Sequence, residues 1–285
     1  MNTNPKIAVF GGGSWATAIV KMLTENLENV GWYMRNVSAI EHIKKHQHNP
    51  NYLSSAELHP KKLDLSNDIN YFVSNYDVLI FVIPSAFLKS ELEKITTSLE
   101  GKTIFSAIKG IVPETGLIIG EHFHKTYNIP LQNIGVITGP CHAEEVAMER
   151  LSYLTLACQD QKKAILLSKF IASSYIKTNI SDDIIGTEYA AMLKNIYAIA
   201  AGIAHGLGYG DNFQSVLMSN AIREMKRFIK KVHKMKRNIN NSAYLGDLLV
   251  TGYSTFSRNR MFGNMIGKGY TVKSAQRVLR YKKRP

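Results

Sequence analysis

The sequence predicts an α/β fold: a doubly wound, mostly parallel sheet followed by an all-helical C-terminal domain. Three observations carry that reading. From Lys6 to about Ile180, short β-rich apolar runs alternate with helix-length segments, the pattern of a sheet covered by helices. Several runs are apolar at consecutive positions, as strands buried on both faces require. Beyond Asp182-Asp183 the short runs stop and long segments of helical periodicity take over. A boundary near residue 181 follows, giving domains 1–180 and 181–285, and a chain of 285 residues divides naturally into two units of ordinary size.

Strands are expected over residues 6–10, 30–34, 78–83, 103–108, 134–138, 153–157 and 175–179. Residues 46–65, rich in Asn, Ser, Pro and Lys, read as a long polar loop of the kind that often serves function. In the second unit helices are expected over 187–205 and 214–232, and from 241 onward. Met225, Phe228, Val232 and Met235 recur at helical spacing, so the lysines between Lys226 and Arg237 read as the solvated face of an amphipathic helix.

Composition narrows the function. The 45% apolar and 20% charged content are those of an ordinary globular protein. No run of membrane-spanning length occurs, and Met1-Asn2-Thr3-Asn4-Pro5-Lys6 leads straight into a strand without a signal-peptide core, so a cytoplasmic protein with no integral membrane contact is expected. Two cysteines, Cys141 and Cys158, make neither a disulfide framework nor a zinc site, and no metal is expected. The excess of 35 Lys and Arg over 22 Asp and Glu, +13, suits nucleic acid, an acidic membrane surface or phosphorylated small molecules. Zinc-finger and RNP patterns are absent, which disfavours nucleic acid.

Directly after the first strand stands Gly11-Gly12-Gly13-Ser14-Trp15-Ala16, opening a helix to about Asn26. This is the G-x-G-x-x-A form of the Rossmann dinucleotide fingerprint: Gly11 for the tight turn, Gly13 for close approach of a pyrophosphate, Ala16 for helix–strand packing. Backbone N–H groups at the helix start then face the anion. An Asp or Glu that would bond an NAD ribose is missing after Trp32-Tyr33-Met34, where Arg35-Asn36 follows. Arginine there stacks on adenine or pairs with a 2′-phosphate, so the cofactor is NAD or NADP, with NADP slightly favoured. Val82-Ile83-Pro84-Ser85 ends another strand at the nicotinamide half of such a site.

Catalytic candidates come from both units. Lys194 is the only cation in the helix from Glu188 to Gly202, amid apolar and small residues. Withdrawal from water disfavours an ammonium and brings it toward useful proton transfer, which a ketone reduced by hydride needs on its oxygen. Lys109-Gly110 ends the strand over 103–108, where open α/β sheets bind ligands. Gly246-Asp247-Leu248 and Ser257-Arg258-Asn259-Arg260 follow, the latter suited to phosphate because arginine forks onto two oxygens.

Taken in order, the Gly11 loop, Val82-Ile83-Pro84-Ser85, Ile108-Lys109-Gly110, Thr138-Gly139-Pro140, Leu193-Lys194-Asn195, Gly246-Asp247-Leu248 and Ser257-Arg258-Asn259-Arg260-Met261-Phe262-Gly263 resemble the bacterial NAD(P)-dependent glycerol-3-phosphate dehydrogenases from Lys6 to about Gln276. The resemblance implies reversible reduction of dihydroxyacetone phosphate to sn-glycerol 3-phosphate for glycerophospholipid synthesis, by a homodimer. It implies Lys194 as proton donor and acceptor, Lys109 as holder of the substrate oxygen, and Asp247 as the group orienting Lys194 and substrate hydroxyls. Gly139, Cys141 and Asn195 would contact substrate, and Ser257, Arg258 and Asn259 its phosphate. Ser14, Trp15, Arg35, Tyr52, Lys109, Ala143 and Arg258 match cofactor contacts.

The chain also departs from that pattern. Cys141-His142 stands where the family has Thr-Phe, Gln214 replaces a charge near the Gly-x-Asn turn, and Asn220 replaces an arginine. Similar chains continue past Gln276 with further helix, including a glutamate that touches the cofactor. This one ends in the basic run Arg277 to Arg284 and reads as shortened, with weaker cofactor binding, activity or stability implied. Two alternatives stay open: a shortened, non-catalytic NAD(P)H-binding relative, and another reductase of the 6-phosphogluconate dehydrogenase-like group. Lys109-Gly110 with the Ser257 motif disfavours the latter.

Overall fold

The structure, a computed structural model, describes residues 4–281 and divides after Ile184 into two compact units. Lys282, Lys283 and Arg284 of the basic run lie outside the described residues. The first unit is an eight-stranded sheet in the order β3-β2-β1-β4-β5-β6-β7-β8. Its strands are β1 Ile7–Phe10, β2 Val30–Tyr33, β3 Leu63–Ser66, β4 Val78–Phe81, β5 Thr103–Ser106, β6 Ile134–Thr138, β7 Ser152–Cys158 and β8 Ile176–Ser181. All pairings are parallel except β6 with β7. Helices α1 Ser14–Thr24, α2 Val37–His46, α3 Ile69–Asn75, α4 Ser85–Leu92, α5 Ile119–Tyr127, α6 Ala143–Ala147 and α7 Gln161–Ile171 connect the strands.

Strand β1 shows why the sheet is covered on both faces. Ile7 and Val9 join one apolar core with Ile19, Leu23 and Trp32, while Ala8 and Phe10 join another with Phe72, Phe81 and Phe123. Alternate side chains of a strand point to opposite faces, so a fully apolar strand serves two cores at once. The Phe10 and Phe81 rings stack at 4.7 Å, and each fully buried side chain of this size contributes about 1.5–3 kcal/mol relative to exposure.

One strand was not anticipated. Residues 46–65 read as loop, yet they contain a 3-10 turn at Pro60–Lys62 and the start of β3. Strand β3 lies at the sheet edge, half-buried throughout, and the polar Lys61-Lys62 before it masks a short Leu-x-Leu alternation.

The second unit comprises α8 Ile184–Gly206, α9 Asp211–Val232, a π-helical turn Ser242–Gly246, α10 Asp247–Tyr253, α11 Arg258–Gly267 and α12 Val272–Tyr281. The expected apolar stripe of α9 is displaced. Gln214, Met218, Ala221, Met225 and Ile229 are buried, Phe228 and Val232 are exposed, and Met235 lies beyond the helix end. A sequence period gives the spacing of a stripe, and only the neighbouring helices choose which of two adjacent stripes turns inward.

Helices α8 and α11 approach closely through glycines on both. A Cβ at Gly263 would fall 2.9 Å from the Ile199 carbonyl carbon and 3.0 Å from Ile203 N, and one at Gly202 would fall 2.8 Å from Asn264 N. Backbone on each side leaves nothing that can yield. Gly263→Ala should therefore cost about 1–3 kcal/mol by overpacking, read as a lower urea midpoint with an unchanged m-value.

Candidate functional site

The glycine turn is set by three constraints in the first unit. Gly11 has φ of 135°, a region closed to most side chains, and a Cβ there would lie 2.6 Å from the Val82 carbonyl oxygen. Its N–H donates to Tyr33 O at 3.1 Å, and the Trp32 indole N–H donates to Gly11 O at 2.7 Å. Helix α1 then begins at Ser14 with Gly13 as an N-cap that supplies no side-chain bond. Orphan N–H groups of the first turn stay available to an external acceptor, with the positive end of the helix dipole behind them. A Cβ at Gly13 would meet nothing within 4 Å, so the space beside that turn is open.

Trp15 adds a buried indole Nε1 with no hydrogen-bond partner among the described residues. Lys109 Nζ stands 5.8 Å from the centre of that indole ring. An uncapped helix start, an open glycine and an unsatisfied indole donor are together what a dinucleotide diphosphate needs, and the residues fit such a group. The other turns converge on the same sheet edge, since Pro84-Ser85 follows β4, Lys109-Gly110 follows β5, and Gly139 to Ala143 follows β6. A Cβ at Gly110 would fall 2.9 Å from Ser85 Oγ, so two of these turns touch. Cys141 and Ala143 are buried, whereas Tyr52 is exposed.

Sequence reasoning missed Asn49. Fully buried, it donates from Nδ2 to Gly12 O at 3.2 Å and Thr17 Oγ1 at 2.9 Å, and accepts at Oδ1 from the N–H groups of Asn51 and Tyr52. One amide thus ties the loop carrying Tyr52 to the glycine turn. No motif marks it, because the contact spans 37 residues to Gly12.

Glu91 was missed as well. Sequence analysis finds no carboxylate following β2, yet α4 carries Glu91 to that place. It is buried and accepts from Tyr33 Oη at 2.9 Å, Lys94 Nζ at 2.8 Å and Arg35 Nη1 at 3.2 Å. Burial and then Glu91 itself push the Tyr33 phenol well above its usual range, keeping it a donor. The Arg35 side chain is 61% exposed, with one guanidinium nitrogen held by Glu91 and the guanidinium carbon 6.0 Å from the centre of the Phe87 ring.

In the second unit α8 supplies Lys194, 3% exposed, and the π-helical turn delivers Asp247 at the start of α10, 2% exposed. Lys194 Nζ forms an ion pair with Asp247 Oδ1. Asp247 Oδ2 is buried without a hydrogen-bond partner among the described residues, leaving an acceptor for a ligand hydroxyl. Asn195 turns back to Ala191 O at 3.3 Å. Ser257 is the N-cap of α11, accepting from Arg260 N at 3.3 Å, and Arg258 and Asn259 open that helix. A phosphate-suited tetrapeptide is therefore also a helix N-terminus, where backbone N–H groups and the dipole favour an anion. Gln214, one of the departures, is buried and donates to Gly252 O at 3.3 Å, linking α9 to α10.

The strand order β3-β2-β1-β4-β5-β6 with a glycine turn after β1 defines a Rossmann-type dinucleotide-binding protein. Residues 6–164 match the family described as NAD-dependent glycerol-3-phosphate dehydrogenase N-terminus, and residues 183–283 match its C-terminus counterpart. The chain belongs to the NAD-dependent glycerol-3-phosphate dehydrogenase family. It is 34% identical over 272 residues to the glycerol-3-phosphate dehydrogenase [NAD(P)+] of Macrococcus caseolyticus, covering 95% of this chain and 82% of that one. The enzyme of the same name from an Exiguobacterium species is 35% identical over 268 residues, covering 92% and 77%. Among solved structures, glycerol-3-phosphate dehydrogenase from Coxiella burnetii superposes with a TM-score of 0.87 at 26% identity, covering 97% of this chain and 84% of that one.

Removing one member of the buried pair leaves an uncompensated charge. Lys194→Met should destabilise the chain by about 3–5 kcal/mol, and adding Asp247→Leu should restore most of that loss. Urea unfolding of the single and double variants measures both, and a double variant no more stable than the single one would remove the pair as the cause.

Proposed function

We propose that the protein reversibly reduces dihydroxyacetone phosphate to sn-glycerol 3-phosphate with NAD(P)H, supplying the backbone of glycerophospholipids in the cytoplasm. The observation that carries this reading is the buried Lys194–Asp247 pair with its unpartnered Oδ2, in a chain whose two halves both match the dehydrogenase family. A buried ammonium beside a carboxylate is a proton donor of fixed direction, which a ketone oxygen requires as charge develops on it. Among the described residues no helix is long and apolar enough to cross a membrane.

The roles follow from the chemistry of each group. Gly11, Gly13, Ser14, Trp15 and Ala143 hold the dinucleotide, the first four around the uncapped start of α1, and Tyr52 and Arg35 hold its adenosine end. When bound, the nicotinamide supplies the hydride. Lys109 steadies the substrate oxygen, and Lys194 gives that oxygen its proton in reduction and takes it back in the reverse direction. Asp247 orients Lys194 and accepts a substrate hydroxyl, with Gly139, Cys141 and Asn195 as further contacts. Ser257, Arg258 and Asn259 hold the phosphate, Arg258 also reaching the cofactor. A preference for NADP over NAD rests on the open guanidinium nitrogens of Arg35, half-restrained by Glu91. A homodimer is supported by the exposed apolar side chains Leu207, Tyr209, Phe213 and Val216 at the α8–α9 corner, and light scattering at twice the chain mass is the expected result.

Purified protein should oxidise NADPH when dihydroxyacetone phosphate is added. Lys194→Ala should lower turnover at least roughly a hundredfold while the NADPH dissociation constant stays within about a factor of two. A protein that binds NADPH and never oxidises it would be a non-catalytic relative instead. In the same assay NADPH should be used better than NADH, and Arg35→Ala should weaken NADPH by about tenfold or more, the scale of a lost charged hydrogen bond, while barely changing NADH. Equal losses with both cofactors would remove Arg35 from the choice between them.

A further inference from the structure

Three imidazoles gather where α2 ends. The ring centres of His42 and His46 are 4.4 Å apart, those of His42 and His48 4.7 Å, and those of His46 and His48 6.4 Å. His42 and His46 are one helical turn apart and share a face. Gln47, in the left-handed conformation with φ of 62°, ends the helix and turns the chain so that His48 returns toward His42.

His48 Nδ1 lies 3.4 Å from the Asn49 carbonyl oxygen, and Nε2, on the other side of the ring, is the nitrogen turned toward His42. That Nε2 faces His42 Nε2 at 3.4 Å. The separation is long for a hydrogen bond, which centres on about 2.9–3.0 Å. It matches two nitrogens each about 2.0–2.1 Å from one tetrahedral ion, which sit about 3.3–3.4 Å from one another.

We propose that His42 and His48 chelate a late first-row divalent cation of the zinc, nickel or copper class, and that this cation clamps the loop behind the glycine turn. Among the described residues no three His, Cys, Asp or Glu side chains converge on one metal position. The protein therefore offers two imidazoles and water completes the shell, which makes the site exchangeable rather than structural. Imidazole is the ligand that zinc, nickel and copper accept readily and that magnesium and calcium do not.

The position gives the site its consequence. Residue 49 follows immediately, and its side chain ties the loop to Gly12 and Thr17. A cation joining His48 to the end of α2 fixes residues 47 to 49 from one side while Asn49 fixes them from the other.

Calorimetric titration of the full, tag-free chain with zinc chloride should show one ion per chain. His42→Gln and His48→Gln should each weaken it by at least about tenfold, while His205→Gln, in the second unit, leaves it unchanged. Zinc should also slow backbone amide exchange over residues 47–53 in the native chain and not in His48→Gln. Zinc binding that survives both His42→Gln and His48→Gln, or none up to about 1 mM, would overturn the site. Binding without slowed exchange would overturn the clamp.

Discussion

The close approach of Gly11 to the end of β4 is the constraint on which the first unit depends. A parallel sheet leaves its strand-to-helix turns on one edge, and at the β1–β4 neighbour pair the chain departs in opposite directions. Only a residue without Cβ fits there, because the Val82 carbonyl occupies the place a side chain would take. Trp32, at the heart of one core, then fixes the Gly11 carbonyl by its indole N–H. Packing and turn geometry are thus one construction: the side chain that fills the core also fixes the backbone of the glycine turn.

The second unit is organised around a buried charge pair rather than a turn. Taking Lys194 and Asp247 out of water carries a desolvation penalty of several kcal/mol per ion, which their mutual attraction offsets only when the geometry is held. The π-helical turn and the glycine-mediated crossing of α8 with α11 supply that rigidity within the unit. A stable fold built from apolar residues alone would not need the pair. The pair lies amid small and apolar neighbours, and Asp247 Oδ2 keeps an acceptor with no hydrogen-bond partner among the described residues.

Carboxylates and amides placed by the fold temper the charges that motifs reveal. Arg35 reads in isolation as a free cation, but Glu91 brings a buried negative charge beside it and shares that charge with Tyr33 and Lys94. Asn49 does the same for the backbone, converting a loop that looks merely polar into a support for the glycine turn.

The sequence by itself determined the alternation of strands and helices, the change of pattern after Asp182-Asp183, the glycine fingerprint and the candidates Lys109, Lys194, Asp247 and Arg258. Each of these is written in local period or local composition, which the chain carries wherever it folds. Tertiary structure alone decided the edge strand β3, the inward stripe of α9, and the partners of Arg35 and Asn49. Those depend on contacts across tens of residues, and which of several chemically possible neighbours is realised is fixed only when packing removes the others from reach.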